Sequence, residues 1–272
     1  MDAIVEFLLQ PISGSDEHYF GHAHKWHARW MVVAWGVMVP LGILIARYFK
    51  ITARQDWPTQ LDNRTWWIAH LVLQIGAFAL TLVALAYVLD LFDGVLGAIA
   101  TDGIGLSGVA GLAPLHALLG WAVVALASLQ VLGGALRGTH GHRTVVLDAE
   151  LRARLGGRGD HFQMTLRRRV FEYAHKLCGY LALALAALNI VLGLAMADAP
   201  RWMWLVIGGF WLLLGSIAVR LQRQGRCVDT YQAIYGPAPD LPGNRRRPIG
   251  WGIRRYGAGE WPPVPHSRRS LR

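Results

Sequence analysis

Apolar residues gather into five long runs, roughly 28–48, 66–88, 112–135, 170–197 and 202–221, separated by polar stretches. Each run offers about 20 or more mostly apolar positions, enough for a helix to cross a hydrocarbon core of roughly 30 Å. In lipid the backbone must satisfy its own hydrogen bonds, so these runs are expected to be helices. The predicted fold class is all-α: a polytopic membrane bundle of five transmembrane helices, four of which form the core. The opening MDAIVEFLLQPI is acidic and too short to span, and reads as a short helix lying on the membrane surface.

Composition agrees with the pattern. Of the 272 residues 54% are hydrophobic and only 16% charged, whereas a soluble domain usually carries about a quarter charged residues. The formal charge of +10 could point to nucleic acid, but its distribution excludes that reading. Lys50, Arg54 and Arg64 lie between the first two runs. Arg137, Arg143, Arg152, Arg154, Arg158 and Arg167 to Arg169 lie between the third and fourth. Arg223, Arg226, Arg245 to Arg247, Arg254, Arg255, Arg268 and Arg269 follow the fifth. By contrast, 89–111 has no Lys or Arg but carries Asp90, Asp93 and Asp102, and 198–201 has only Arg201. This alternation follows the positive-inside rule.

The expected organisation is therefore an outer N-terminal segment 1–27, a membrane domain 28–221 and a basic cytoplasmic tail 222–272. The expected location is a bacterial inner membrane, with the N-terminus outside. The tail is rich in Pro, Gly and Arg, as in GPAPDLPGNRRRP and GEWPPVP. It is expected to be poorly ordered, with its arginines resting on anionic lipid. Cys178 and Cys227 would both face the reducing side, so no disulfide and no cleavable signal peptide are expected.

Ionisable residues inside a membrane are costly and are functional candidates by default. His27, His70, His116 and His175 fall one in each of the first four runs. Alternating helix direction puts His27 and His116 near the outer surface, and His70 and His175 about one turn in from the inner surface. An inward-facing imidazole pair is what six-coordinate haem iron requires. Two pairs would hold two haems with irons roughly 15–20 Å apart.

The sequence around the third and fourth histidines repeats weakly: HALLGWAVVALASLQVLG against HKLCGYLALALAALNIVLG. Gly120 and Gly179 each follow their histidine by four residues. They share its helix face and leave room for a flat macrocycle. Gln130 and Asn189 each follow by fourteen, within about 40° of whole turns, so both amides point inward near the opposite haem level.

Plainer readings stand beside these. A single membrane histidine can be an interhelical hydrogen-bond donor, small residues permit close helix packing, and Gln130 and Asn189 can bridge helices. His22 and His24 could compete with His27. His140, His142 and His161 lie in the inner loop and are expected to be solvated. The stretch THGHR completes no coordination set.

At HARWMVVAWGVMVPLGILIARYFK, WWIAHLVLQIG, LHALLGWAVVALASLQVLGGALRG and FEYAHKLCGYLALALAALNIVLGL the chain resembles the cytochrome b561 family. The form it resembles is that found in bacteria and in the membrane part of DOMON-linked proteins. The resemblance covers residues 27 to about 197. It implies a helical bundle with two non-covalent haem b groups, His27 pairing with His116 and His70 with His175 as axial iron ligands. It also implies electron transfer across the membrane, often from internal ascorbate to an external acceptor. Ascorbate-using members carry a lysine two residues before the second-run histidine, where this chain has Ile68. Arg47, Arg64, Arg169 and Lys176 remain near the inner pair as partners for haem propionates or an anionic donor. On this reading no soluble electron-transfer domain is expected to flank the bundle, and the family's usual extra first helix is expected to be absent.

The leading expectation is a dihaem cytochrome, a transmembrane oxidoreductase passing electrons from the inner to the outer haem. Its partners would be lipid and a soluble or quinone donor and acceptor, with no nucleic acid; a homodimer is left open. A second reading is the membrane anchor of a multisubunit dehydrogenase or reductase that exchanges electrons with quinone. A third is a transporter or sensor using histidine for metal or protons. No nucleophilic or phosphate-cradling constellation is present, so no catalytic residue is assigned.

Overall fold

A computed structural model describes residues 2–14, 21–52, 54–89, 112–139 and 159–261. Among them five helices are long and apolar enough to cross a membrane. These are α2 (His22–Tyr48), α3 (Thr65–Val88), α4 (Ala113–Ala135), α6 (Leu166–Met196) and α7 (Arg201–Arg223). The short helices are α1 (Asp2–Leu9), α5 (Asp160–Gln163) and α8 (Thr230–Tyr235). The fold is all-α, and the five long helices begin and end close to the boundaries the apolar runs predict. Only 6% to 28% of each span's most apolar stretch is buried in protein. The remaining Leu, Val and Ile face outward as a surface suited to lipid.

The chain divides into two compact units, and the division falls inside every long helix. The first unit comprises Met1–Gly42, Val72–Ser128 and Tyr180–Gly215. It is built on small residues: Ala77, Thr81 and Ala84 of α3 and Ala182 and Ala186 of α6 are buried. Spacings of three and four put such residues on one helix face, where they let backbones approach closely. One feature escapes the periodicity. Val32–Met38 of α2 winds as a π-helix, a widened turn found often at functional sites. Within it Trp35 Nε1 donates to Thr81 Oγ1 at 2.9 Å, and Trp211 Nε1 donates to the Gly36 carbonyl at 2.9 Å. A Cβ on Gly36 would come to 3.0 Å from Ile207 Cδ1, so a larger residue there would have to displace that side chain. Helix α1 is fixed by Arg201, which donates to the Phe7 carbonyl and to Gln10 Oε1, both at 3.0 Å.

The second unit comprises Ile43–Leu71, Leu129–Gly179 and Ser216–Arg272. It overturns the expectation that residues 222–272 are poorly ordered, as far as Trp261. Two apolar clusters hold this stretch. Tyr231, Leu241 and Ile249 pack with Phe162 and Met164. Val228, Ala233 and Tyr256 pack with Ile51 and Trp57. Polar anchors complete it: Asp229 caps α8 by accepting from the Tyr231 amide at 3.2 Å, and Arg255 Nε donates to Asp229 Oδ2 at 2.6 Å. The Pro, Gly and Arg content that reads as disorder instead serves turns and carbonyl contacts. Arg255 donates to the carbonyls of Gly243 and Asn244 at 3.0 and 2.8 Å.

Candidate functional site

The four span histidines meet in two pairs, one in each unit. In the first unit the ring centroids of His27 and His116 are 6.3 Å apart with planes crossed at 72°. In the second unit those of His70 and His175 are 6.2 Å apart and crossed at 73°. Two imidazoles on opposite sides of one metal, bonded at about 2 Å, place their centroids roughly 6.3 Å apart. Both pairs have the separation that axial ligation of a single metal demands. Among the described residues no group of three or more His, Cys, Asp or Glu could hold a metal ion. A metal on either pair therefore needs further donors from outside these side chains, which a macrocycle with four nitrogens supplies.

His27 Nδ1 lies 3.1 Å from the Ala84 carbonyl. A carbonyl only accepts, so Nδ1 carries the proton and Nε2 presents its lone pair, the orientation metal-bound histidines take from such a partner. His22 is spent elsewhere: its Nε2 accepts from Trp26 Nε1 at 2.8 Å. His116 Nδ1 and His175 Nδ1 are buried without a well-formed hydrogen bond.

The weak repeat acquires a physical meaning. A Cβ on Gly120 would lie 3.4 Å from Asn189 Nδ2, and one on Gly179 would lie 3.8 Å from Gln130 Oε1. Each amide thus faces the glycine of the other helix. Gly193, which sequence reasoning passed over, abuts a ligand candidate directly, since a Cβ there would be 3.2 Å from His116 Cε1. The signal lay in the same repeat: Gly193 follows His175 by eighteen residues, as Gly134 follows His116. A Cβ on Gly134 would meet nothing within 4 Å.

The second pair has a charged surround. Phe171 lies against His175, with centroids 5.2 Å apart and planes at 33°, and the Arg168 guanidinium sits over Phe171 at 5.2 Å. Glu172 is buried and takes Arg168 Nε at 3.1 Å and Lys176 Nζ at 3.0 Å. Trp67, one turn from His70, carries the Arg64 and Arg137 guanidinium groups at 5.5 and 5.2 Å from its ring. Burial first, then the charges of Arg168 and Arg64, lower the Arg137 pKa. Among the described residues neither Arg64 nor Arg137 forms an ion pair, so this patch favours an anion.

Arg47 and Lys176, expected beside an anionic ligand, are engaged by the C-terminal segment. Lys176 Nζ donates to the Ile249 carbonyl at 2.6 Å, and Arg47 Nη2 donates to the Trp251 carbonyl at 2.8 Å. Gly250 and Gly252, with φ of +120° and +66°, supply the turns that L-residues resist. His161 is not solvated as expected but 1% exposed, among Arg168, Glu172, Tyr231 and Tyr235. Its burial depends on α8 and could not be read locally. His140 and His142 lie outside the described residues.

The chain is similar to cytochrome b561 and DOMON domain-containing proteins of Arabidopsis thaliana. One is 24% identical over 191 residues, 70% of this chain and 36% of the relative. A second is 24% identical over 179 residues, 65% of this chain and 29% of the relative. A third is 23% identical over 192 residues, 71% of this chain and 36% of the relative. The similarity supports the cytochrome b561 family. The chain spans about a third of the length of the curated relatives it matches. No family model and no solved structure matches it. With five apolar helices, the cytochrome b561 similarity also supports an integral membrane protein.

Proposed function

We propose that the chain conducts electrons across a membrane through two non-covalent haem b groups. One is held by His27 and His116, the other by His70 and His175. The observation that carries this reading is the repeated ring separation of 6.3 and 6.2 Å, which suits axial ligation of one iron by each pair. When bound, the haems supply one-electron chemistry. The protein holds the imidazoles, keeps them dry and sets the charge around them. His27 is aimed by the Ala84 carbonyl, Gly193 admits the His116 ring, and Phe171 braces His175.

The positive-inside rule, applied to the basic loops, favours His70 and His175 as the pair on the cytoplasmic side of a bacterial inner membrane, with the N-terminus outside. Electrons then enter at His70 and His175, the inner pair, and leave at His27 and His116, the outer pair. Arg64 and Arg137 suit either haem propionates or an anionic donor such as ascorbate, whereas Arg47 and Lys176 bind the chain's own carbonyls.

Haem analysis of the purified protein tests the reading. It should return a b-type spectrum with about two haems per chain. About one haem, or a colourless protein, sinks it. Fast reduction by quinol together with a stoichiometric partner subunit would move the protein to the anchor-subunit reading.

A further inference from the structure

His161 is buried between two groups that want different things from it. Arg168 Nη2 lies 3.4 Å from His161 Nε2, and a guanidinium only donates, so Nε2 is the unprotonated acceptor and the ring is neutral. Glu172 Oε1 stands 3.7 Å from the same Nε2. A proton on Nε2 would turn that nitrogen into a donor, lose the Arg168 contact and gain the Glu172 carboxylate. Among the described residues Nε2 thus faces two alternative partners, selected by one proton.

Among the described residues these groups face it. Arg168 and Glu172 come from α6, and Lys176 also binds Glu172. From α8, Tyr231 and Tyr235 place ring centroids 6.1 and 5.3 Å away. Burial raises both phenols, Tyr231 to about 12, so neither titrates near neutrality. Neighbouring Asp160 spends its carboxylate on the Thr165 hydroxyl at 2.8 Å and the Thr139 amide at 3.1 Å.

The pivot also touches the inner histidine pair. The Arg168 guanidinium that reaches His161 lies over Phe171, and Phe171 lies against His175. A change in partner at His161 therefore moves or releases a full charge two contacts from that pair, in a buried setting where screening is weak.

We propose that His161 is a redox-linked proton site of the inner pair. It takes up one proton when one electron arrives there, and returns it on reoxidation. The electron comes from a hydroquinone or enediol donor and the proton from water, binding at Nε2, so the added charges cancel. The proposal rests on the haem reading above.

The test is redox potentiometry of the haem-loaded protein in lipid nanodiscs, from about pH 5 to 9, across the histidine range. The potential of the inner component should fall with rising pH, by up to about 59 mV per unit, which is tenfold in proton activity for a one-electron couple. The outer component should stay flat. The His161→Gln variant, whose amide oxygen can still accept from Arg168, should flatten the inner slope while leaving both haems bound. An indicator dye should register proton uptake on reduction of the wild type, a reading that needs no variant. A pH-independent inner potential in fully loaded wild type, or a slope retained in His161→Gln, overturns the proposal. A spectrum without an inner haem overturns the dihaem reading, and this proposal with it.

Discussion

Around His27 and His116 the neighbours include a backbone carbonyl and a glycine, Ala84 and Gly193. Near His70 and His175 lie the Phe171 ring, against His175, and charged side chains one contact further out: Glu172 with Arg168 and Lys176, and Arg64 and Arg137 over Trp67. Ring geometry hardly distinguishes the pairs, at 6.3 Å and 72° against 6.2 Å and 73°. A repeated helix pattern brings two histidine pairs to the same geometry. What differs is the surround, and the surround sets potential, donor access and coupling to protons.

The largest expected effect breaks the comparison outright. His70→Ala or His175→Ala should remove the inner haem, and His27→Ala or His116→Ala the outer one, each costing about half of the bound haem. Difference spectra of each variant are the measurement. If His27→Ala leaves both haems low-spin, the outer assignment moves to His22 or His24.

A subtler change should act on one side only. Gly193→Val puts a branched side chain where even a Cβ would lie 3.2 Å from His116 Cε1. Outer haem affinity should drop by about tenfold, or about 1.4 kcal/mol, with the inner haem unchanged. Haem titration of the apoprotein reads this, and equal weakening at both pairs would show that the units are not independent.

The strap of the second unit comes next. Arg47→Ala removes the bonds to the Trp251 carbonyl and to Gln222 Oε1, which should cost about 1–3 kcal/mol. Residues 249–254 should become accessible to limited proteolysis while the outer spectrum stays constant. A protected strap would assign its stability to the two apolar clusters instead.

The smallest effect is a pH dependence. Lys50 is buried, donates to the Val228 carbonyl at 3.0 Å, and has its pKa lowered by burial from 10.5 to about 8. Between those values the unfolded chain binds the extra proton, so this group destabilises the fold below about pH 8 and is relieved as pH rises toward 10.5. The buried tyrosines act oppositely: their pKa values are raised, so the unfolded state is favoured above about pH 10. Comparing Lys50→Met with wild type isolates the lysine. The variant's advantage in thermal unfolding should shrink from pH 8 upward, and a constant difference would show that Lys50 is neutral throughout.

The sequence by itself determined the spans and singled out the four histidines that meet in pairs. These depend on local quantities: the length of an apolar run, the charge of a loop and the spacing along a helix. It also carried the link between Gly120, Gly179, Gln130 and Asn189, because a fixed helical rise turns spacing into depth. Only tertiary structure decided the rest. The order of residues 222–261 comes from Tyr231, Leu241 and Ile249 meeting Phe162 and Met164, partners at least 67 residues away along the chain. The burial of His161 needs α8 to cover it. Arg47 and Lys176 meet the Trp251 and Ile249 carbonyls because two glycine turns bring that segment to them. In each case a side chain's neighbours come from remote sequence, and no periodicity along the chain records which remote segment will arrive.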